Sequence, residues 1–180
     1  MHPRSLSILV AVSSLLAGCT TLDRASVCEH FEHDRQSLRY ETLYRYSESD
    51  SRTAAANFRA RPERDAVIVR WYTMRVNAPT IRPCEHLYLF KEIYLQRGPL
   101  ADATLEETRE FYTAAGQRIA TKKENVTAQL KNTGYYTASV PLPIPESAPP
   151  GAYRVVTRLA LKTGAREVTL STATAEFRVR

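Results

Sequence analysis

The chain has 180 residues, 43% of them hydrophobic, and carries 25 Lys and Arg against 19 Asp and Glu, a formal net charge of +6. That length suits one domain with a real core. The basic surplus is ordinary for the size and does not by itself mark a binder of polyanions. After residue 16 no apolar run is long enough to span a bilayer.

The chain opens on Arg4, an apolar run from Leu6 to Leu16, and then Ala17-Gly18-Cys19. A positive start, an apolar stretch and small residues at the cut are the layout of a secretory signal peptide. Leu16-Ala17-Gly18-Cys19 resembles the lipobox of bacterial lipoproteins. The resemblance implies that residues 1–18 are removed and that Cys19 carries lipid on its sulfur and its amine. Thr20 stands where an Asp would retain the protein in the inner membrane. The resemblance therefore implies an outer-membrane anchor with the domain facing the periplasm. Each buried CH₂ contributes about 0.8 kcal/mol, and more than one acyl chain makes such an anchor stable. The partners expected on this reading are the membrane itself, a protein of the envelope, and anionic lipid or lipopolysaccharide against the basic surface. Nucleic acid is not expected there.

Residues 19–27 read as a lipidated tether, reaching at most roughly 30 Å. Residues 28–180 read as a single domain. Its start is short and helical or irregular, with Phe31, Leu38 and Leu43 at helical spacing. Tyr40, Thr42, Tyr44 and Tyr46 alternate, which predicts a strand over 38–46. Residues 47–65 are polar and read as a long loop with Arg52, Arg59, Arg61 and Arg64. A loop this long is uncommon unless it is functional.

The runs 66–76 and 86–95, rich in β-branched, aromatic and large apolar residues, predict core strands. Residues 104–123 support two readings. Thr104 with Glu107 makes a capping-box pattern that Gly116 could close. The alternative, preferred because strands flank it, is a hairpin turning at Ala115-Gly116. In 141–145 three prolines alternate with Leu142 and Ile144, which predicts a sheet edge or crossover. Tyr153, Val155, Thr157, Leu159 and Leu161 alternate along one face, and Thr163-Gly164 turns the chain. In the return strand the apolar phase slips from even to odd positions, which predicts a bulge near Ser171-Thr172.

Short strands between Pro and Gly turns predict a mainly β fold, an antiparallel sandwich. Pro141–Pro145 followed by Pro149-Pro150-Gly151-Ala152-Tyr153-Arg154-Val155 resembles bacterial immunoglobulin-like and macroglobulin-type domains. Phe111–Gln117 resembles their inner hairpin. The resemblance covers residues 105–180 and implies an immunoglobulin-like β-sandwich serving as a binding or spacer module.

After lipidation two cysteines remain, Cys28 and Cys84, and in an oxidising compartment their default is a disulfide. Both stand in a Cys-Glu-His tripeptide, and His30, His33 and His86 all lie near them in sequence. A zinc or copper site is the alternative, although no standard ligand spacing is met. No cofactor is otherwise expected. The sequence has no Gly-rich phosphate loop, nucleophile elbow or His-Glu-x-x-His motif, and Glu106, Glu107 and Glu110 read as a solvated face. The expectation is a non-enzymatic, lipid-anchored interaction or assembly module. The alternatives are a metal or small-ligand carrier using the Cys/His cluster, or an accessory lipoprotein of a secretion machine.

Overall fold

The computed structural model describes residues 19–37, 40–60, 67–98 and 103–180. The expected signal peptide, with Leu16-Ala17-Gly18, lies outside them, as do Arg61 and Arg64. The elements in chain order are α1 (Cys19–Ser37), β1 (Arg45–Ser47), α2 (Glu48–Asn57), β2 (Val67–Val76), β3 (Thr80–Ile81), β4 (His86–Arg97), β5 (Thr104–Thr113), β6 (Arg118–Asn125), β7 (Gly134–Pro143), β8 (Gly151–Thr163) and β9 (Arg166–Val179).

Two sheets form a sandwich, one ordered β1-β7-β4-β2 and the other β3-β9-β8-β5-β6. The mainly β, two-sheet architecture is the expected one. One pairing departs from an all-antiparallel sandwich: β3 runs parallel to β9, Ile81 opposite Val179. The hairpin reading of 104–123 holds. β5 pairs antiparallel with β6, and Gly116 takes φ 79° in the turn, where a side chain would be strained. The phase slip in the last strand is a bulge: Leu159 faces Ser171 but Ala160 faces Thr169, so Leu170 is the extra residue.

Residues 20–27, read as the tether, are part of α1. Two readings need correction. The loop expected at 47–65 contains α2. Its N-cap is Ser47, whose Oγ accepts from the Asp50 backbone N–H at 3.4 Å, and Glu48 and Asp50 meet the positive end of the helix dipole. Of the strand expected at 38–46, residues 38–39 lie outside the described ones and 40–44 are not in a ladder; β1 begins at Arg45. Over Thr42 and Tyr44 the backbone donors go to side chains instead of a ladder. Thr42 N–H donates to Glu124 at 2.9 Å and Tyr44 N–H to Gln129 at 2.7 Å. α2 docks on β7 because Gly134 leaves room. A Cβ there would lie 2.9 Å from Ser51 Oγ of α2 and would run into the Tyr46 ring of β1, and Ser51 Oγ accepts from the Tyr135 N–H at 2.8 Å.

The core is divided. Leu87, Leu89, Val140, Val155, Phe177 and Val179 belong to one buried apolar cluster. Ile93, Leu95, Leu105, Val126, Tyr136 and Leu159 belong to another. Between them, at inward positions of β4 and β5, stand Lys91, Glu107 and Arg109. The first two are wholly buried and Arg109 is 2% exposed. Glu107 and Glu110 are therefore not the solvated face expected; Glu110 is buried under Arg118 and Arg158.

Lys91 Nζ donates to Glu107 and to Thr42 Oγ1 at 3.2 Å. The other Glu107 oxygen accepts from the Tyr44 hydroxyl and, at 2.9 Å, from the Tyr72 hydroxyl. Arg109 Nη2 donates to Glu124 at 2.6 Å. Thr42 Oγ1 passes its own proton to Glu124 at 2.8 Å. Burial alone would push the Glu107 carboxyl up, but the Lys91 charge and the hydrogen bonds from Lys91, Tyr44 and Tyr72 reverse it and hold it below 4.5. Burial likewise opposes ionisation of Glu124, and the Arg109 charge with the Thr42 hydrogen bonds holds it below 4.5.

A buried pair is costly to break but not to replace. Lys91→Met alone and Glu107→Leu alone should each cost about 3–5 kcal/mol in urea unfolding, and the double variant should recover most of that loss. Additive losses would show that the two charges are independent. The pH dependence has a fixed sign. Folded carboxyls held below 4.5 mean that the unfolded chain binds protons first as pH falls. Stability should be level above about pH 5 and fall steadily below it. Urea midpoints measured at successive pH values check this.

Candidate functional site: the opening between the two sheets

β6 is an edge strand, and so is the far half of β7, because β1 pairs only with Tyr135, Tyr136 and Thr137. The two edges bound the same side of the sandwich. The alternating prolines fit this arrangement. Ile144 N–H donates to Glu85 and its carbonyl accepts from Cys84 N–H, facing β4. Residues of opposite parity, Pro141 and Pro143, then turn their missing N–H toward the open side. The sheet-edge expectation for 141–145 is met at this end of β7.

Half of the opening is closed by the chain itself. Residues 40–44 run along it, with Thr42 and Tyr44 buried and Lys122 Nζ donating to the Tyr40 carbonyl. Tyr40 is the first residue of this segment that the structure describes. A polar stretch of about 420 Å³ follows, bordered by Tyr40, Arg109 and Lys122. Through Phe111, Leu142 and Pro143 it continues into an apolar groove of about 410 Å³ lined by Ile119, Ile144, Tyr153 and Phe177. Ile119, on the edge strand, is 53% exposed. The first core cluster therefore surfaces here, where no strand among the described residues covers it.

The disulfide sits at the rim. Cys28 and Cys84 are bonded, their Cα atoms 5.2 Å apart. The bond ties α1 to the turn before β4, where Cys84 takes φ 64°. Glu32 accepts from the Glu146 N–H at 2.9 Å, so α1 also holds the loop that carries the groove's far wall. That hydrogen bond, with the one from Arg35, keeps the Glu32 carboxyl below 4.5.

The histidines do not converge. His30 and His33 point to solvent on α1, their side chains 81% and 83% exposed, each within 4 Å of Asp34. His86 packs against Phe31, ring centroids 4.9 Å apart, and lies 3.4 Å from the Tyr40 hydroxyl. Among the described residues no group of three or more His, Cys, Asp or Glu is placed to hold a metal. Of the arginines expected in a loop, Arg52 is on α2 opposite Glu48 at 3.8 Å, and Arg59 follows the helix in a left-handed conformation. Among the described residues no helix is long and apolar enough to cross a membrane. Cys19 is the first residue of α1.

The groove was not read from the sequence. Its signal was present: prolines at alternating positions along one strand, and a hairpin whose second strand, Arg118–Asn125, is polar apart from Ile119 and Ala120. What was missing was the sheet order that makes these two edges neighbours.

No protein-family model matches the chain, and no curated protein is similar to it in sequence. Solved structures match in outline. A CARDB domain from Pyrococcus furiosus is 10% identical over 67% of this chain and 93% of its own, with a TM-score of 0.39. An immunoglobulin-like protein from Pseudomonas aeruginosa is 15% identical over 65% of this chain and 98% of its own, with a TM-score of 0.38. A family 123 glycoside hydrolase from Clostridium perfringens is 11% identical over 78% of this chain, with a TM-score of 0.41, and this chain spans only 27% of its length. None of these likenesses carries a function across.

The disulfide closes a loop with a sequence separation of 56. For that length the chain-entropy model gives roughly 4 kcal/mol. The Cys28→Ala/Cys84→Ala variant should lose stability of that order in urea. Native-state hydrogen exchange should also rise first in α1 and around Glu146. Exchange unchanged there would show that α1 is held by other contacts.

Proposed function

We propose that the chain is a non-enzymatic module of the bacterial envelope, anchored through lipid on Cys19 at the outer membrane and facing the periplasm. There it binds an extended segment of a protein partner in the groove between β6 and β7. The observation that carries this reading is the half-closed opening. Residues 40–44 lie in one half as an extended chain, with alternate side chains inward and backbone groups held by side chains of the walls. The unclosed half continues the same geometry, and among the described residues the outer edge of β6 is unpaired. An extended peptide can add to a free strand edge and place alternate side chains in the pockets behind it. The apolar walls favour Val, Ile, Leu or aromatic residues there, each contributing about 1.5–3 kcal/mol on full burial.

The anchor rests on the lipobox resemblance and on the length and position of the apolar run before it. A small-ligand carrier is the second reading, favoured by the groove's size, which falls within the range of small-molecule sites, about 300–1,000 Å³. The form of that reading that uses the cysteines as ligands is weakened, because each sulfur is bonded to the other.

A photo-crosslinking residue placed at Ile119 in living cells should yield a discrete protein adduct. The same residue at Val168, also exposed but on the β8–β9 hairpin, should not. Equal adducts at both, or none at 119, would sink the groove as the partner site. Separately, Cys19→Ser should abolish incorporation of labelled fatty acid and leave the precursor uncleaved. Label equal to that of the parent would remove the anchor from the reading.

A further inference from the structure

The outer face of the four-stranded sheet carries a second depression, which shares no lining residue with the groove. It holds about 510 Å³ between α2 and the sheet, and Asp50, Asn57, Phe58, Trp71, Glu92 and Tyr135 are among its walls. Three features set its chemistry.

The first is aromatic surface left uncovered. Trp71, the only tryptophan in the chain, is 47% exposed on the middle of β2. Phe58, just past α2, stacks on the buried Tyr94 with centroids 5.5 Å apart and is itself 39% exposed. Tyr94, Tyr135 and Trp71 stand opposite one another across three strands. The second is charge. Among the described residues the lining contains two carboxylates, Asp50 and Glu92, and no Lys or Arg, in a chain whose net charge is +6. The Tyr135 hydroxyl donates to Glu92 Oε2 at 2.8 Å. Burial first, then the Glu92 hydrogen bond and charge, push that phenol up to about 12. It therefore remains a donor at neutral pH and holds Glu92 in place. Glu92 Oε1 has no donor among the described residues. The third is that this face already seats a cation. Phe90, two residues from Glu92 on the same side of β4, has the Arg75 Cζ 4.5 Å from its ring centroid.

An apolar or neutral partner covering this cleft would strip water from two carboxylates without replacing it. A guanidinium or ammonium group pairs with the carboxylates and is attracted to the indole face. We propose that the cleft is a docking site for an arginine or lysine side chain of a protein partner, seated against Trp71 with Asp50 and Glu92 as counter-ions. This site is distinct from the groove and does not depend on it or on the lipid anchor.

Because Trp71 is the sole tryptophan, its fluorescence reports on the cleft directly. The full chain in detergent is titrated with a blocked Gly-Arg-Gly-Arg-Gly peptide. The expected result is a saturable change in emission that weakens at least about fivefold between roughly 50 and 300 mM salt. Glu92→Gln keeps an acceptor for Tyr135, and Asp50→Asn keeps the helix start. Each should weaken binding about threefold or more, and the pair about tenfold, with circular dichroism unchanged. Three outcomes overturn the proposal: no change up to about 10 mM peptide, an equal response to the peptide with Gln in place of Arg, or salt-insensitive binding of a neutral chito-oligosaccharide that the two substitutions leave intact.

Discussion

Lys91 and Glu107 face each other across the middle of the sandwich, one from each sheet, with no solvent to reach either. Two opposite charges in that position hold the sheets in one register. A slip of either strand by one residue would turn one charge outward and leave its partner unpaired in an apolar core. A belt of hydrogen bonds with Tyr44, Tyr72 and Thr42, and the Arg109–Glu124 pair beside them, offsets the cost of burial, although Arg109 Nε itself has no partner among the described residues. Such a belt exchanges some stability for uniqueness, because an apolar core at these positions would be easier to build and easier to mis-register.

The same belt organises the open side. Glu124 and Glu107 take the hydroxyls of Thr42 and Tyr44, and Glu124 also takes the Thr42 backbone N–H. The segment before β1 is thereby pinned over half of the gap between the sheet edges. On the other side of residues 38–39, α1 is tied to the turn before β4 by the Cys28–Cys84 disulfide. The groove is thus the part of the opening that no described segment of the chain fills. Its walls are β5 and β8 behind and the 144–149 loop, tied to α1 by the hydrogen bond from the Glu146 N–H to Glu32.

The two candidate surfaces differ in the force that would drive association. The groove exposes the end of an apolar cluster beside an unpaired strand edge, so burial and backbone pairing would dominate. The cleft under α2 exposes aromatic rings beside two carboxylates with no Lys or Arg in the described lining, so charge would dominate and salt would weaken it. A partner using both would be an extended apolar segment with a basic side chain elsewhere on its surface.

Strand content, the hairpin at Gly116, the bulge near Ser171 and the pairing of Cys28 with Cys84 were all legible in the sequence. Period-two alternation, a glycine at a turn and the parity of thiols are local or countable signals. α2 was hidden because its polar, Arg-bearing stretch has no apolar stripe; the cap at Ser47 with Asp50 was the signal, and docking on Gly134 supplies what propensity lacks. Glu107 and Glu110 looked like a solvated face because the cations that pair with them come from other strands. Lys91 lies 16 residues away and Arg158 lies 48. The groove and the cleft belong to the same class. Sheet order decides which edges share a side, and strand register decides which aromatic and acidic side chains meet. Both are set by long-range pairing that no window of sequence contains.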